Sequence, residues 1–489
     1  MSRDASTPPE RIPLATLEKH LWGAADLLRG SIDSGDFKTW ILGLLFYKRL
    51  CDVWDEEASV GEGSHRFTLP RGSHWRDIRT RTQHLGEALN SAFEAIEEAN
   101  PALQGTFREI DFTNSDRFPD TLLTALLDHF EQHRMGHAEV PSTVLADAYE
   151  YLISRFADDA GKKGGEFYTP REIVRIMVEI LAPEPGESIY DPTCGAGGML
   201  LECAHFMERG HHPANSLQLR GQEKNLTTSA LARMALFLHD IDDADIAQGD
   251  TLLDPRHQTP AGELQQFDGV LANPPFSLKN WGFETWSKGD VFQRTALGIP
   301  PRGFGDMAFL EHMLASLKPT GRMTVVVPLG VLFRGGAEGR IRAAMLERDL
   351  VEAVVSLGPN LFYGTTIPAA VIVIRPQRRR ERAGKVLFVN ASASLHEGRN
   401  QHRLGPEHVE RIVTAVTRYA DEPLFARVVD HAEITENDHN LNVSRYVQIT
   451  PPPERIDVVR ELKTLRELTR VRDRAEKNMT TILKEMKRG

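Results

Sequence analysis

Cysteine is scarce in this chain, with Cys51, Cys194 and Cys203 the only three among 489 residues. Their number and irregular spacing exclude a disulfide framework and a cysteine-based zinc site, and no metal is expected. Long apolar runs are also missing. The best attempt, "WILGLLFYK", meets a lysine well before the roughly 20 residues that a spanning helix needs. The opening "MSRDASTPPERIP" has no apolar core of the kind a secretory signal carries. A cytoplasmic protein without membrane contact is therefore expected. Positive charge falls short too, since 58 Lys and Arg stand against 69 Asp and Glu, a net charge of −11. A protein that grips a long duplex unaided shows a basic surplus. If this chain acts on nucleic acid, part of the grip is expected from a partner.

What is present is an ordinary globular composition, 41% hydrophobic and 26% charged, in a chain long enough for two or three domains. From Leu14 to Leu145 the apolar spacing is helical, with "SIDSGD", Asn100-Pro101 and "FTNSDRFP" as breaks. An α-helical N-terminal domain over 1–145 follows. From Ser188 strands alternate with helices: "SIY", "LQLRGQ", "DIAQGD", "FDGVLA", "RMTVVVP", "LVEAVVSL" and "AAVIVIRP" read as strands. That alternation predicts an α/β catalytic domain over 146–395 with a mostly parallel sheet. In open sheets of this kind ligands bind beyond the carboxyl ends of the strands, and Asp191, Glu223, Asp250 and Asn273 all fall there. The remainder, 396–489, is more polar and ends in a predicted long helix. Its Leu462, Leu465, Ala475, Met479, Ile482 and Met486 recur at 3/4 spacing, giving one face for a partner helix or for the chain's own domain.

The strand that ends at Asp191 enters "DPTCGAGG", a glycine turn that admits a ligand close to the backbone. Its spacing is neither GxGxxG nor a P-loop, and a tight structural turn would use the same glycines. Glu223 in "GQEKN" is placed to accept from ribose hydroxyls, and Asp250 in "QGDTL" from an adenine amino group. Alone, either would read as a solvated carboxylate. In this order, at successive strand ends, they describe a pocket for an adenosyl ligand without phosphates, which S-adenosyl-L-methionine fits. Then comes "LANPPFS". Proline fixes φ and restrains the residue before it, so Asn273-Pro274-Pro275-Phe276 is stiff. The Asn273 side-chain oxygen and the Pro274 carbonyl are expected side by side as two acceptors for one exocyclic amino group. The proton can leave after the methyl arrives, so no strong base is needed. Phe276 offers a ring for stacking, worth roughly 1–3 kcal/mol, and a duplex base must flip out to reach it. The plainer alternative is a Pro-Pro turn that closes a strand. Upstream, "GEFYTPREIVRIMVEIL" predicts Thr169 as helix N-cap and Pro170 as first helical residue, with Phe167 and Tyr168 at the pocket edge or as a simple staple.

The succession "GEFYTP", "DPTCGAGG", "GQEKN", "GD", "NPPF" resembles the N6-adenine DNA methyltransferases, most nearly the modification (M) subunit of type I restriction–modification systems. "LWGAADLLRGSIDSGDFKTWILGLLFYKRL", "GQEKNLTTSALARMALFLHDI" and "NLNVSRYV" share the likeness, which covers nearly the whole chain. The resemblance implies a class I S-adenosylmethionine-dependent methyltransferase fold, Rossmann-like with a mostly parallel seven-stranded sheet, between an α-helical N-terminal domain and a C-terminal helical tail. It implies that Glu166, Phe167, Tyr168, Thr169, Pro170 and Arg171 line the methionine end of the cofactor pocket. Asp191, Ala196, Gly197 and Gly198 would wrap the cofactor, Glu223 hold its ribose, Asp250 lie near its adenine, and Asn273 to Phe276 form the catalytic turn. Met199 stands where many relatives have phenylalanine. The implied partners are double-stranded DNA, a specificity (S) subunit that reads the target and receives the C-terminal helix, a second M subunit and a motor-nuclease (R) subunit. The basic run "RPQRRRERAGK", Arg375 to Lys385, is expected either on DNA phosphates or as a solvated hairpin. Ser277 to Asp306, with Trp281, Phe283 and Trp286, is expected as a mobile loop over the flipped base or a disordered connection. Rival functions are a stand-alone methyltransferase for cytosine N4, RNA or a protein amide, and a non-catalytic scaffold.

Overall fold

Runs of β-branched residues with every position buried, such as "VEAVVSL" and "AAVIVI", form strands covered on both faces. The computed structural model describes residues 11–29, 32, 37–60, 65–142, 144–145, 147–149, 151–152, 169–241, 243–362, 365–398, 401–448 and 458–486. Within these, one sheet is built from β1 (Ser188–Asp191), β2 (Gln218–Glu223), β3 (Asp245–Gln248), β4 (Phe267–Ala272), β5 (Leu317–Pro328), β6 (Val351–Leu357), β7 (Ala369–Ile374), β8 (Lys385–Ala391) and β9 (Ala426–Asp430). Their order is β3-β2-β1-β4-β5-β7-β6-β8-β9. The expected seven strands are its first seven. β1 to β5 pair in parallel, and β7 runs antiparallel to both β5 and β6. β8 extends the sheet in parallel and β9 closes it antiparallel, so the sheet continues past residue 395.

The two-residue period of the strands sorts their side chains into two cores. Val326, Val371 and Val373 face the helices Arg171–Leu181, Gly198–Arg209, Leu226–Leu238 and Pro406–Arg418. Val325, Val327, Ile372 and Ile374 face Asp306–Ala315 and Gly336–Glu347. The N-terminal helices Leu14–Leu28, Phe37–Val60, Leu85–Ala99 and Asp120–Phe130 join the first core. Phe46 meets Phe237 at 5.3 Å between ring centroids, and Asp240 accepts from Arg66 at 2.8 Å and from Ser142 at 2.5 Å. The helical domain is therefore seated on the helix after β2, and both belong to one compact unit ending at Val447.

Two expectations are corrected. The basic run is not a wholly solvated hairpin: Arg375, Arg378 and Arg382 are bound to the fold, while Arg379 and Arg380 at its tip are exposed. Arg375 and Arg382 flank the buried Glu352 at 2.6 and 2.9 Å, and Arg378 donates to the carbonyls of Val351 and Lys385. Arg382 also reaches the Thr417 carbonyl, so the run clasps β6, β8 and the helix Pro406–Arg418. The segment Ser277 to Asp306 is no mobile lid. Trp281 and Trp286 are each 1% exposed and pack on Leu252, Ala308 and Phe309. Arg294 lies 4.1 Å over the Trp286 ring and pairs with Asp290 at 2.7 Å, both side chains 2% exposed. It donates further to the carbonyls of Thr251 and Leu252. Tryptophans that sequence alone leaves on a loop have found a small core of their own.

The second compact unit, Gln448–Gly489, holds the helix Val458–Met486. Leu462, Leu465, Met479, Ile482 and Met486 are exposed along it. Among the described residues, no helix is long and apolar enough to cross a membrane.

Candidate active site

Strand order reverses between β1 and β4, the place where open α/β sheets leave a crevice. β1 delivers Asp191 there, and the chain then turns through Gly197, whose φ of +85° favours glycine, into the helix Gly198–Arg209. Asp191 is 2% exposed and accepts from the Thr193 N–H at 3.0 Å. Burial pushes its carboxyl up to about 8, against that hydrogen bond, and the neighbouring Glu223 adds to the rise. Glu223 at the end of β2 accepts from the N–H groups of Asn225 (2.7 Å) and Gly195 (3.1 Å), bracing the glycine turn. Burial raises its pKa while those bonds oppose the shift. Each of its oxygens keeps a second lone pair for a hydroxyl. Asp250 accepts from the N–H groups of Leu252 and Leu253 and meets Lys224 at 2.8 Å.

These groups share a cavity of about 580 Å³, lined also by Thr169, Arg171, Ala196, Gly198, Asn273 and Pro275. Asn273 donates its Nδ2 hydrogen to Thr169 Oγ1 at 2.9 Å. Its Oδ1 is buried with no hydrogen-bond partner among the described residues. Thr169 is thus not the N-cap. That position falls to Pro170, the helix begins at Arg171, and the threonine hydroxyl is taken by the asparagine instead. Pro170 lines an adjoining cavity of about 390 Å³. Gly197, Pro274 and Phe276 do not line the large cavity, and Glu166, Phe167 and Tyr168 lie outside the described residues. Phe276 stands edge-on to Phe362, 5.8 Å between centroids at 65°.

Sequence reading missed Tyr149 and Phe362. Tyr149 lines the cavity and donates to the Leu231 carbonyl at 2.8 Å, tying the segment that follows the helical domain to the helix Leu226–Leu238. In sequence it is one more apolar position of a helix. Met199, the departure from the family pattern, is a wall of the same cavity and 4% exposed.

A buried acid poised near 8 makes cation binding pH-dependent. A positively charged ligand beside Asp191 draws off its proton, so affinity is expected to rise by up to about tenfold per pH unit until pH 8. The sign for stability is the reverse. A pKa raised on folding contributes stability below the unfolded value near 4, and that contribution is lost as pH rises through 8. Calorimetric titration and melting across this range, with Asp191→Asn expected to flatten both curves, check it.

The comparisons with known proteins give the family. Residues 141–454, more than half of the chain, match the N-6 DNA Methylase family model, and 17–130 match the HsdM N-terminal domain. The type I restriction enzyme MjaVII methylase subunit of Methanocaldococcus jannaschii is 32% identical, over 92% of this chain and 81% of its own length. The MpnII methylase subunit of Mycoplasma pneumoniae is 29% identical, over 90% and 91%. The solved methyltransferase subunit of a type I restriction-modification system from Streptococcus thermophilus superposes with a TM-score of 0.78 at 31% identity, covering 89% of this chain and all of that one. Glycine turn, carboxylate-lined crevice and NPPF turn thus sit in a chain that belongs to the N-6 DNA methylase family, with the methylase subunits of type I restriction enzymes.

Proposed function

We infer that this chain is the modification subunit of a type I restriction–modification complex, an adenine-specific DNA methyltransferase that methylates N6 of a flipped-out base. The observation that carries the mechanism is Asn273 Oδ1, a buried acceptor without a partner, on a proline-stiffened turn at the wall of the cavity. Such an orphan costs about 1–3 kcal/mol unless a ligand donates to it. An exocyclic amino group does so, and the Pro274 carbonyl is the second acceptor of the same turn. Two acceptors aimed at one nitrogen favour its tetrahedral, nucleophilic form and hold the proton that is lost after transfer.

The cavity fits S-adenosyl-L-methionine by its donor set. Asp191 and Glu223 are buried carboxyls suited to a cation and a ribose, and Asp250 stands at the next strand end. The bound cofactor supplies an electrophilic methyl group. Ala196 to Gly198 would wrap it, Glu166 to Arg171 would close its methionine end, and Asn273 to Phe276 would present the base. Phe276, now against Phe362, would turn its face to that base.

DNA, an S subunit, a second M subunit and an R subunit are the proposed partners. The net charge of −11 and the clasped basic run support a grip supplied from outside this chain. The apolar face of Val458–Met486 is the proposed dock for helices of the S subunit. The test is sequencing of N6-methyladenine in DNA from cells that express this chain with and without a cognate S subunit. Site-specific N6-methyladenine is expected only with both; methylation at cytosine N4, or unchanged methylation without the S subunit, overturns the reading.

A further inference from the structure

Phe276 is followed by Ser277, a non-glycine residue at φ +54°. An L-residue there is disfavoured, and without support the backbone would relax and swing the turn before it. The support comes from 29 residues downstream, where Asp306 Oδ1 accepts from the Ser277 N–H at 2.8 Å. Asp306 is 5% exposed and opens the helix Asp306–Ala315, whose far end is packed in the second core. Its other oxygen pairs with Arg334 at 3.2 Å. Arg334 in turn lies 2.8 Å from Glu338 and 4.4 Å from the Phe304 ring centroid, so the carboxylate is held from behind. Beside it, the Gly305 N–H donates to the Leu278 carbonyl at 2.9 Å. A Cβ on Gly305 would come within 2.8 Å of Trp281, so this approach requires glycine.

We propose that Asp306 is a positioning residue for methyl transfer: its carboxylate holds Ser277 left-handed and thereby aims Phe276 and the acceptors of Asn273 and Pro274. The inference rests on reading NPPF as the site of transfer. Asp306 is separated from the reacting atoms by Ser277 and acts only through the backbone.

The test uses the full chain assembled with its S subunit, on duplex carrying the unmethylated target site. Asp306→Ala is expected to lower kcat about 10- to 100-fold with the Kd for S-adenosylmethionine unchanged. Asp306→Asn keeps an acceptor oxygen and is expected to stay within about threefold of the native kcat. Ser277→Gly added to Asp306→Ala is expected to recover about fivefold, because glycine adopts this φ freely. An unchanged kcat in Asp306→Ala, a parallel loss of cofactor affinity, or no recovery by glycine overturns the proposal. If Asp306→Ala does not fold, Ser277→Val leaves the carboxylate network whole and disfavours only the left-handed backbone. It is expected to lose about tenfold in kcat, and no loss overturns the proposal. Asn273→Ala run alongside separates the two ideas. An active Asn273→Ala removes the reading of the turn, whereas an inactive Asn273→Ala beside a fully active Asp306→Ala removes only the role of Asp306.

Discussion

Asn273→Ala is expected to lower kcat about 100- to 1000-fold while the Kd for S-adenosylmethionine stays within about twofold. The side chain is anchored through Nδ2 to Thr169, and its free, buried Oδ1 is the acceptor that would polarise the amino group. Alanine removes that acceptor and leaves Asp191, Glu223 and Asp250 untouched, so binding and chemistry separate. Phe276→Ala tests the other half of the turn, since it forfeits base stacking worth roughly 1–3 kcal/mol. Its edge-on contact with Phe362 makes Phe362→Ala a milder variant in the same direction. Single-turnover methylation with parallel calorimetry reads both quantities, and retained methylation in Asn273→Ala would sink the mechanism.

Arg294→Ala is expected to destabilise the protein by about 3–5 kcal/mol, the cost of leaving one member of a buried ion pair alone. Asp290 would keep its charge at 2% exposure, and the carbonyls of Thr251 and Leu252 would lose a donor. If the compact unit ending at Val447 melts as one, at roughly 2 cal/mol/K per residue, that energy shifts Tm by only about 3–5 °C. Chemical denaturation is therefore the sharper assay. The pair Arg294→Met with Asp290→Leu is expected to recover much of the loss, because removing both charges leaves none stranded. A lid segment that merely closed over substrate would melt no differently in either variant, and an unchanged midpoint would restore that picture.

The helical start, the alternation of strands and helices, and the placement of Asp191, Glu223, Asp250 and Asn273 at strand ends were legible because each is written in a local period or a local turn. A buried strand must be apolar throughout, and a strand end must break in polar or glycine residues. The structure does bring those four residues to one cavity. Two further strands, β8 and β9, were not counted in advance. β9 sits in a polar stretch, and its pairing with β8 is what makes it a strand.

The remaining features depend on contacts between residues far apart in the chain. Thr169 turns to Asn273 across 104 positions, and Tyr149 reaches Leu231 across 82. Neither local spacing nor residue type announces such a partner. Arg375, Arg378 and Arg382 of the basic run looked free for phosphate because their carboxylate and carbonyl partners lie on other strands. By itself, then, the sequence determined the fold class and which residues stand at the mouth of the sheet, since local periodicity and stiff turns act over a few residues. Only the tertiary structure decided what holds the NPPF turn in its conformation and which charges remain for a partner, because both depend on side chains meeting after distant segments have packed.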